Sequence, residues 1–213
     1  VYGQQKMIAQ FNCTGDWAFY IEGDEIYHEN ELDKILKSME MHLNDPNVEA
    51  LVFDFHHFYG NANTILNSPG WYRSEARIIK NSVRSYAPDG LFWLVLDSNK
   101  KGRYPRAKHT GANCYHYGWV RSEEEMNLKS NKVQKYWGRG PVNIDYSQID
   151  QSIIKKFGGT HPKIVKDWLP KDDGLYIADS SYKLTQKQKK HRAMIKLENF
   201  FGLELSKKHY KLV

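Results

Sequence analysis

The sequence lacks the features that mark disulfide-rich secreted proteins and membrane proteins. Its 213 residues include only two cysteines, Cys13 and Cys114, which cannot form a disulfide framework and do not have the spacing of metal ligands. No apolar run approaches the ~18 residues of a membrane helix. The sequence also shows no charged segment followed by an apolar one, which is the pattern that would suggest secretion. We therefore expect no transmembrane segment and a cytoplasmic location.

The composition permits a hydrophobic core and gives the chain a basic character. Hydrophobic residues make up 40% of the chain and aromatic residues 14%, so we expect one domain of good size, with or without a small appendage. The formal net charge is +6, and much of the excess follows residue 183. Such a segment can bind nucleic acid, anionic lipid or a phosphorylated ligand, or can be a solvated helix face. Because its aromatic residues form no regular stacking platform, we expect no nucleic-acid binding.

Three carboxylates surround one glycine directly after a predicted strand. Residues 17–21 are aromatic and aliphatic, which is typical of a buried strand, and Glu22, Gly23, Asp24 and Glu25 follow. The end of such a strand is where open α/β sheets bind ligands. Clustered carboxylates repel one another and favour a cation between them, and their oxygens suit Mg²⁺ or Mn²⁺. Acidic residues between a strand and a helix also serve as caps or solvated turn residues.

A second informative segment begins at Trp71 and Tyr72, whose flat faces can contact the C–H surface of a sugar ring. Arg73 and Arg77 follow and offer hydrogen-bond donors to phosphate oxygens. These four residues are candidates for substrate binding. The alternative is a hairpin whose arginines are paired on the surface.

Histidines occur in two places of interest. His56 and His57 are consecutive at the end of a predicted strand, so their side chains point to opposite faces and are not expected to share one metal ion. Whichever of them faces the cleft, His57 in our assignment, is expected to pack there or to hydrogen-bond a sugar. His116 lies in the aromatic string Tyr-His-Tyr-Gly-Trp, and a lone histidine there can be either structural or a ligand.

Four segments, in this order, resemble GT-A glycosyltransferases, especially bacterial and viral relatives of family 2. They are the acidic stretch of residues 16–29, the Trp-Tyr-Arg element at Trp71, the string around His116 and the His-Pro string at His161. The chain has Glu22 where the Asp-x-Asp motif of that group has its first aspartate. The resemblance covers residues 2 to about 170.

The resemblance implies an α/β fold with a GT-A-like mixed sheet flanked by helices. It also implies that the nucleotide-binding βαβ units are missing before residue 16, so we expect this chain to be the C-terminal part of a longer enzyme. Residues 1–140 would form the catalytic and acceptor-side core, and residues 141–213 would form a helical C-terminal extension packed on that core.

The activity implied by the resemblance is transfer of a sugar from a nucleotide-diphosphate sugar to a hydroxyl group of a glycan or another acceptor, with inversion. Mn²⁺ or Mg²⁺ would be bound by Asp24 and His116, with Glu22 near the metal and the substrate. An inverting enzyme needs a carboxylate to deprotonate the acceptor. The candidates for that base are Glu75, Asp54 and Asp89, and we prefer Glu75 because it lies within the Trp-Tyr-Arg element.

Three other functions would use some of the same residues. A non-catalytic or degenerate carbohydrate-binding domain would keep the aromatic residues and lose the dependence on metal. A nucleic-acid-binding protein would use the basic C-terminal segment and bind more weakly as salt rises. A metal-dependent phosphohydrolase could use the carboxylates, but the sequence offers no second ligand cluster for a two-metal site.

The patterns also predict individual elements along the chain. Apolar spacing predicts a helix over residues 2–12 and, after Asn30 as its cap, a helix with an apolar stripe of Leu32, Ile35, Leu36, Met39 and Leu43. A last helix is predicted over residues 185–201, before Gly202, and Ser122 with Glu125 predicts a capping box at the start of another helix. Strands are predicted over 48–56 and 90–96, a loop over 57–63, a short helix over 146–157 with Ile149, Ile153 and Ile154 inward, and another from residue 164 to 169.

Overall fold

The computed structural model describes residues 2–169 and 174–213 and shows a mixed α/β protein. The chain folds into two compact units. Unit 1 comprises the residues up to Phe55 together with Tyr72–Cys114 and Lys207–Val213, and unit 2 comprises His56–Trp71 and Tyr115–Ser206. These units divide the chain differently from the predicted ranges 1–140 and 141–213.

The α-helices of the described residues are α1 (Tyr2–Phe11), α2 (Leu32–His42), α3 (Glu123–Tyr136) and α4 (Gln186–Phe201). None of these helices combines the length and the apolar character needed to cross a bilayer. Short 3-10 helices cover Glu29–Glu31, Gln151–Ile153 and Lys163–Val165.

The strands are β1 (Trp17–Phe19), β2 (Glu25–Tyr27), β3 (Ala50–Tyr59), β4 (Asn61–Leu66), β5 (Ser74–Lys80), β6 (Ser85–Tyr86), β7 (Leu94–Leu96), β8 (Gly102–Arg103), β9 (Arg106–Trp119), β10 (Ile154–Lys156) and β11 (Lys211–Leu212). By the division given above, β3 and β9 each begin in unit 1 and end in unit 2.

Unit 1 contains a mixed sheet built around β5. Strands β1 and β3 pair with β5 in antiparallel fashion, β2 pairs with β9, and the C-terminal β11 pairs with β9 in parallel. Every residue of β5 is buried, because the strand has neighbours on both edges and side chains packed on both faces. Strands β6, β7 and β8 form a separate three-stranded antiparallel sheet.

The core of unit 1 is formed mainly by alternate residues of β3, β5 and β9. Leu51, Phe53, Ile78 and Cys114 are fully buried in one cluster, and Ile35 of α2 packs against them. Burial of apolar side chains of this size contributes about 1.5–3 kcal/mol each. Part of the predicted apolar stripe of α2 lies outside this core, since Leu32 and Leu36 are exposed.

Unit 2 combines a three-stranded antiparallel arrangement with helices α3 and α4. Strand β4 pairs with the end of β3 on one side and with β10 on the other. The buried cluster is rich in aromatic residues, with Tyr59 of β3 packed against Tyr146 and Trp119. Part of the high aromatic content of the sequence therefore lies in the core of this unit.

Several predicted elements are confirmed. Helices α1 and α4 lie where they are predicted, and α3 begins with the predicted capping box of Ser122 and Glu125. Helix α4 ends at Gly202, whose φ of 65° is the left-handed conformation that glycine adopts readily. The three isoleucines predicted to point inward, Ile149, Ile153 and Ile154, are buried.

Other predicted elements are wrong, and each error has a physical cause. Residues 57–63 are not a loop, because β3 continues to Tyr59 and β4 follows after a turn at Gly60, whose φ is 70°. Asn30 does not cap α2; His28 caps the preceding 3-10 helix by accepting a hydrogen bond from the Asn30 N–H. The short helix over 146–157 is replaced by a turn, a 3-10 helix and β10, because pairing with β4 overrides the local spacing.

Strand lengths also differ from the prediction. The strand predicted over 90–96 is shortened to β7, and β1 ends at Phe19 rather than Ile21. The string around His116 belongs to the long strand β9, which the sequence pattern did not indicate as a strand. Its alternation of small, polar and aromatic residues is too irregular to stand out before its neighbours are known.

Candidate functional site

The acidic residues form a tight turn between β1 and β2 in unit 1. The Glu25 N–H donates to the Glu22 carbonyl at 3.0 Å, and the Glu22 N–H donates to Glu25 Oε2 at 3.2 Å. The two reciprocal hydrogen bonds close the turn and place Gly23 and Asp24 at its tip. The geometry of the turn is therefore set before any ligand binds.

A buried arginine holds this turn from inside the protein. Arg77 of β5 donates from Nε to both carboxylate oxygens of Glu25 at 3.0 Å, and from Nη2 to Glu25 Oε1 at 2.6 Å. Both side chains are inaccessible to solvent. Arg77 Nη2 also lies 3.4 Å from Glu22 Oε1, and Nη1 donates to the Leu91 carbonyl at 3.2 Å.

The charge of Arg77 is retained in this buried position. Burial would lower the pKa of Arg77, but the adjacent Glu25 carboxylate raises it well above its ordinary value. The guanidinium also lies 5.0 Å from the ring centroid of Phe55, within the range of a cation–π interaction. Because its donors are directed to Glu25, Glu22 and a backbone carbonyl, Arg77 stabilises the acidic turn. Contact of Arg77 with a phosphate group remains a prediction.

The outer carboxylates of the turn remain accessible. The Glu22 side chain is 35% exposed, and Asp24 is partly exposed at the tip. Burial raises the pKa of Glu22, as do the nearby charges of Glu25 and Asp24, whereas Arg77 acts in the opposite direction. The turn therefore holds more negative charge than Arg77 alone neutralises, which favours binding of a cation.

The donor chemistry of Glu22 and Asp24 fits a hard divalent cation. Carboxylate oxygens are the ligands that Mg²⁺ and Mn²⁺ prefer. Within the described ranges, no group of three or more histidine, cysteine or acidic side chains is arranged to hold a metal. A cation at this turn would therefore take one or two protein carboxylates and complete its coordination with water and substrate phosphate, as Mg²⁺ commonly does.

Glu75, the preferred base, is fully buried in β5. Its Oε2 lies 2.6 Å from His209 Nδ1, and its Oε1 accepts a hydrogen bond from the Ala76 N–H at 3.0 Å. His209 in turn stacks on Phe92, with ring centroids 4.3 Å apart and an interplanar angle of 6°. This contact orders both side chains, and Glu75 is not exposed to an acceptor in this conformation.

The other two candidate bases are more accessible. The Asp54 side chain is 59% exposed and lies 3.8 Å from His109 Nδ1. Asp89 is partly buried and accepts a hydrogen bond from the Leu91 N–H at 2.7 Å, which makes it a turn residue. Asp54 therefore combines accessibility with a nearby titratable partner.

The two aromatic candidates for sugar contact fall in different units. Tyr72 belongs to unit 1 and packs edge-on against Phe55, with ring centroids 4.9 Å apart. Burial raises the pKa of Tyr72 beyond its ordinary range, so its hydroxyl stays protonated. Arg73, also in unit 1, is partly exposed, whereas Trp71 belongs to unit 2 and lines a cavity there.

The histidines of unit 2 are arranged as the strand alternation predicts. His57 is buried, its Nδ1 lies 3.0 Å from His116 Nδ1, and its ring packs against Trp71. His56 contacts Tyr115 and Phe157 instead, so the prediction that His56 and His57 have different surroundings is confirmed. The roles of His57 in sugar binding and of His116 in metal binding, together with Asp24, remain predictions.

Some residues of the site could not be assigned from the sequence. The sequence shows Glu25 as one of three clustered carboxylates, but no local pattern indicates that Glu25 rather than Glu22 is the main partner of Arg77. His209 carries no sequence signal, because it contacts Glu75 across 134 residues of chain. Lys6 is likewise buried, with Nζ 3.7 Å from the ring centroid of Trp93, and the helical spacing of α1 gives no indication of this.

Comparison of the sequence with models of protein families gives no match, and comparison with curated proteins gives no relative. The structural observation that bears on function is therefore the acidic turn itself. The part of the site with the best-defined geometry is the turn from Glu22 to Glu25 with Arg77 beneath it.

Proposed function

We propose that the chain is a glycosyltransferase that moves a sugar from a nucleotide-diphosphate sugar to a hydroxyl acceptor, dependent on a divalent metal and inverting. The proposal has two supports. One is the order of the four motifs that resemble the GT-A enzymes. The other, which carries the argument, is the acidic turn that the buried Arg77–Glu25 pair holds in place while Glu22 and Asp24 face outward.

The chemical difficulty of this reaction is the charge that develops on the departing nucleoside diphosphate. A divalent ion at the turn would neutralise that charge as a Lewis acid. In this proposal Asp24 supplies the principal carboxylate, Glu22 supplies the second, and Arg77 keeps both in position. Positioning of this kind matters because small displacements of a ligand or catalytic group lower turnover strongly.

The acceptor hydroxyl must lose its proton as the new bond forms, and a carboxylate within hydrogen-bond reach is the usual base. Asp54 fits this role by its exposure. Glu75 fits it only by its place in the Trp-Tyr-Arg element, because its carboxylate is fully buried in this conformation. In the second case His209 would orient the carboxylate. The two alternatives predict different effects of neutralising Asp54 and of neutralising Glu75 on turnover.

The test is release of nucleoside diphosphate from a panel of nucleotide sugars, with and without Mn²⁺, combined with Mn²⁺ binding followed by electron paramagnetic resonance. The wild-type chain is expected to bind Mn²⁺ and to release diphosphate only when the metal is present. Asp24→Asn is expected to lose both, because it removes the charged ligand without changing size. Asp33→Asn, an exposed aspartate of α2, is the matched control and is expected to retain both.

The outcomes separate the candidate functions. Full turnover in Asp24→Asn would contradict the proposed metal site. Absence of Mn²⁺ binding and of release in the wild-type chain would favour the degenerate carbohydrate-binding domain. Binding to nucleic acid that weakens steeply with salt and ignores Asp24→Asn would favour the nucleic-acid alternative.

A further inference from the structure

Unit 2 contains a cavity of about 310 Å³ that the acidic turn does not use. Its walls include three aromatic side chains and several polar ones, among them Tyr59, Ser68, Trp71, Trp119, Asp150 and His191. This volume lies near the lower end of the range for small-molecule sites, about 300–1,000 Å³. The mixture of flat apolar surface with a few polar groups is also typical of such sites.

The aromatic residues form an angled wall. The indole rings of Trp71 and Trp119 have centroids 5.3 Å apart and meet at 72°. Tyr59 lies against Trp119 with centroids 5.7 Å apart and an interplanar angle of 28°. Such packing fixes the orientation of the rings and presents rigid apolar faces, which lose little conformational entropy when a ligand binds.

Polar groups at the wall have hydrogen-bonding capacity that the protein does not use. Over residues 2–169 and 174–213, no hydrogen bond involves the indole N–H of Trp71 or Trp119 or the ring nitrogens of His191. Ser68 Oγ accepts from the Gly70 N–H at 3.2 Å, and its own proton is available to an acceptor. These groups can bond the hydroxyls of a ligand that lies on the aromatic faces.

The position of His191 depends on Gly70. A Cβ at residue 70 would lie 2.5 Å from His191 Cε1 and 2.6 Å from Nδ1, so the imidazole can occupy its place only above a glycine. Burial lowers the pKa of His191, and the charges of Lys187 and Lys190 lower it further. The ring is therefore neutral at pH 7, with one nitrogen that donates and one that accepts.

The charged group inside the cavity is already neutralised. Asp150 accepts two hydrogen bonds from Arg192, both at 2.7 Å, and is 2% exposed. The other charged residue of the lining, Lys187, is exposed to solvent. Among the described residues of the lining, an anionic ligand would therefore find no buried cation without a partner, and a neutral ligand meets no uncompensated buried charge.

We propose that this cavity of unit 2 is a glycan-binding site for a neutral sugar ring, whose C–H face packs on Trp71 and Trp119 and whose hydroxyls bond to His191, Ser68 and the indole N–H groups. The proposal concerns binding of the sugar alone. It requires no metal, no donor and no residue of unit 1, so it can fail or hold independently of the proposed function.

The experiment measures saccharide binding to the whole chain by saturation-transfer NMR and by tryptophan fluorescence. The probes are neutral mono- and oligosaccharides of glucose, galactose, mannose and N-acetylglucosamine. Glucuronate is included as the negatively charged counterpart of glucose. At least one neutral sugar is expected to bind, more tightly than its uronate counterpart. Trp71→Ala and His191→Ala are each expected to weaken that binding tenfold or more.

Controls separate the site from the fold and from the metal site. Trp168→Ala removes an exposed tryptophan of unit 2 that does not line the cavity, and it is expected to bind like the wild type. His191→Ala, which alters only a half-buried side chain, keeps the test valid if Trp71→Ala fails to fold. Asp24→Asn is expected to bind the sugar normally, so that loss of turnover and loss of binding are distinguished.

Three results would overturn the proposal. They are binding of no neutral saccharide, preference for glucuronate over glucose, and equal loss of binding in Trp168→Ala and in the cavity variants. If no neutral saccharide binds, the chain can still release nucleoside diphosphate in a metal-dependent manner. In that case the proposed function would stand and the glycan site would not.

Discussion

Arg77 Nη2 lies 2.6 Å from Glu25 Oε1, and neither side chain is accessible to solvent. This ion pair connects the buried strand β5 to the acidic turn, so that one contact serves both the core of unit 1 and its candidate site. A buried pair of this kind is costly to break from one side, because the remaining charge is left without compensation. The geometry of the turn and the stability of unit 1 are therefore coupled.

Removal of one partner of this pair is expected to destabilise the protein strongly. Glu25→Ala leaves the Arg77 guanidinium buried beside Glu22 alone and should lower the free energy of unfolding by about 3–5 kcal/mol, measured by urea denaturation. Lys34→Ala breaks the ion pair between Lys34, whose side chain is 56% exposed, and Glu31, 3.8 Å apart, and should cost less than about 1 kcal/mol. The double variant Glu25→Leu with Arg77→Met should recover much of the loss, and equal small effects of Glu25→Ala and Lys34→Ala would contradict the coupling.

Lys6 is expected to make stability depend on pH in the alkaline range. Burial, together with the positive charge of Arg77, lowers the pKa of Lys6 from 10.5 to about 7. Between these values the unfolded chain holds a proton that the folded chain does not, so the free energy of unfolding rises with pH, by at most about 1.4 kcal/mol per unit. In Lys6→Met the free energy of unfolding should rise less between pH 7 and pH 10, as measured by urea denaturation at a series of pH values.

The control for Lys6 is the exposed Lys37 of α2. Lys37→Met is expected to leave the pH dependence of the wild type in place. A wild-type protein whose stability stays level or falls from pH 7 to 9, with no difference in Lys6→Met, would show that Lys6 is charged in the folded state.

Gly60 is expected to be essential for the turn between β3 and β4. Its φ of 70° is unfavourable for other residues, and an added Cβ would lie 2.9 Å from the Tyr176 ring. Gly60→Ala should lower the free energy of unfolding by about 1–2 kcal/mol from backbone strain alone, with a further loss from the contact. Gly140→Ala, where nothing lies within 4 Å of the added Cβ, is the control; equal melting temperatures in the two variants would refute this account.

The two principal candidate bases are expected to behave differently when neutralised. Asp54→Asn, at an exposed side chain, should keep the stability of the wild type and lower metal-dependent turnover by about 10²–10⁴-fold. Glu75→Ala should lower the free energy of unfolding by about 1–3 kcal/mol, because it leaves His209 without its buried partner.

Glu75→Gln completes this comparison, since glutamine keeps the size of the side chain and an oxygen that accepts a hydrogen bond. A folded Glu75→Gln protein without turnover, beside a fully active Asp54→Asn protein, would assign the base to Glu75 instead. The measurements are steady-state diphosphate release and urea denaturation of the same preparations.

The sequence by itself determined the elements whose causes are local. The Ser122–Glu125 capping box depends on residues three positions apart, and its 3.2 Å hydrogen bonds are found as predicted. Helix α1 follows from apolar spacing, the end of α4 follows from Gly202, and the opposite directions of His56 and His57 follow from the period of a strand. The sequence also shows the cluster of acidic residues that forms the turn, because these residues are contiguous.

Only the tertiary structure decided which of these residues meet and which way they face. Arg77 was predicted to offer donors to a ligand, yet it points into unit 1, because Glu25 and the Leu91 carbonyl compensate its charge there. Residues 146–157 have helical spacing but pair with β4 through β10. Glu75 and His209 lie 134 residues apart in the chain. Such contacts depend on the burial and pairing of distant segments, which no local pattern encodes.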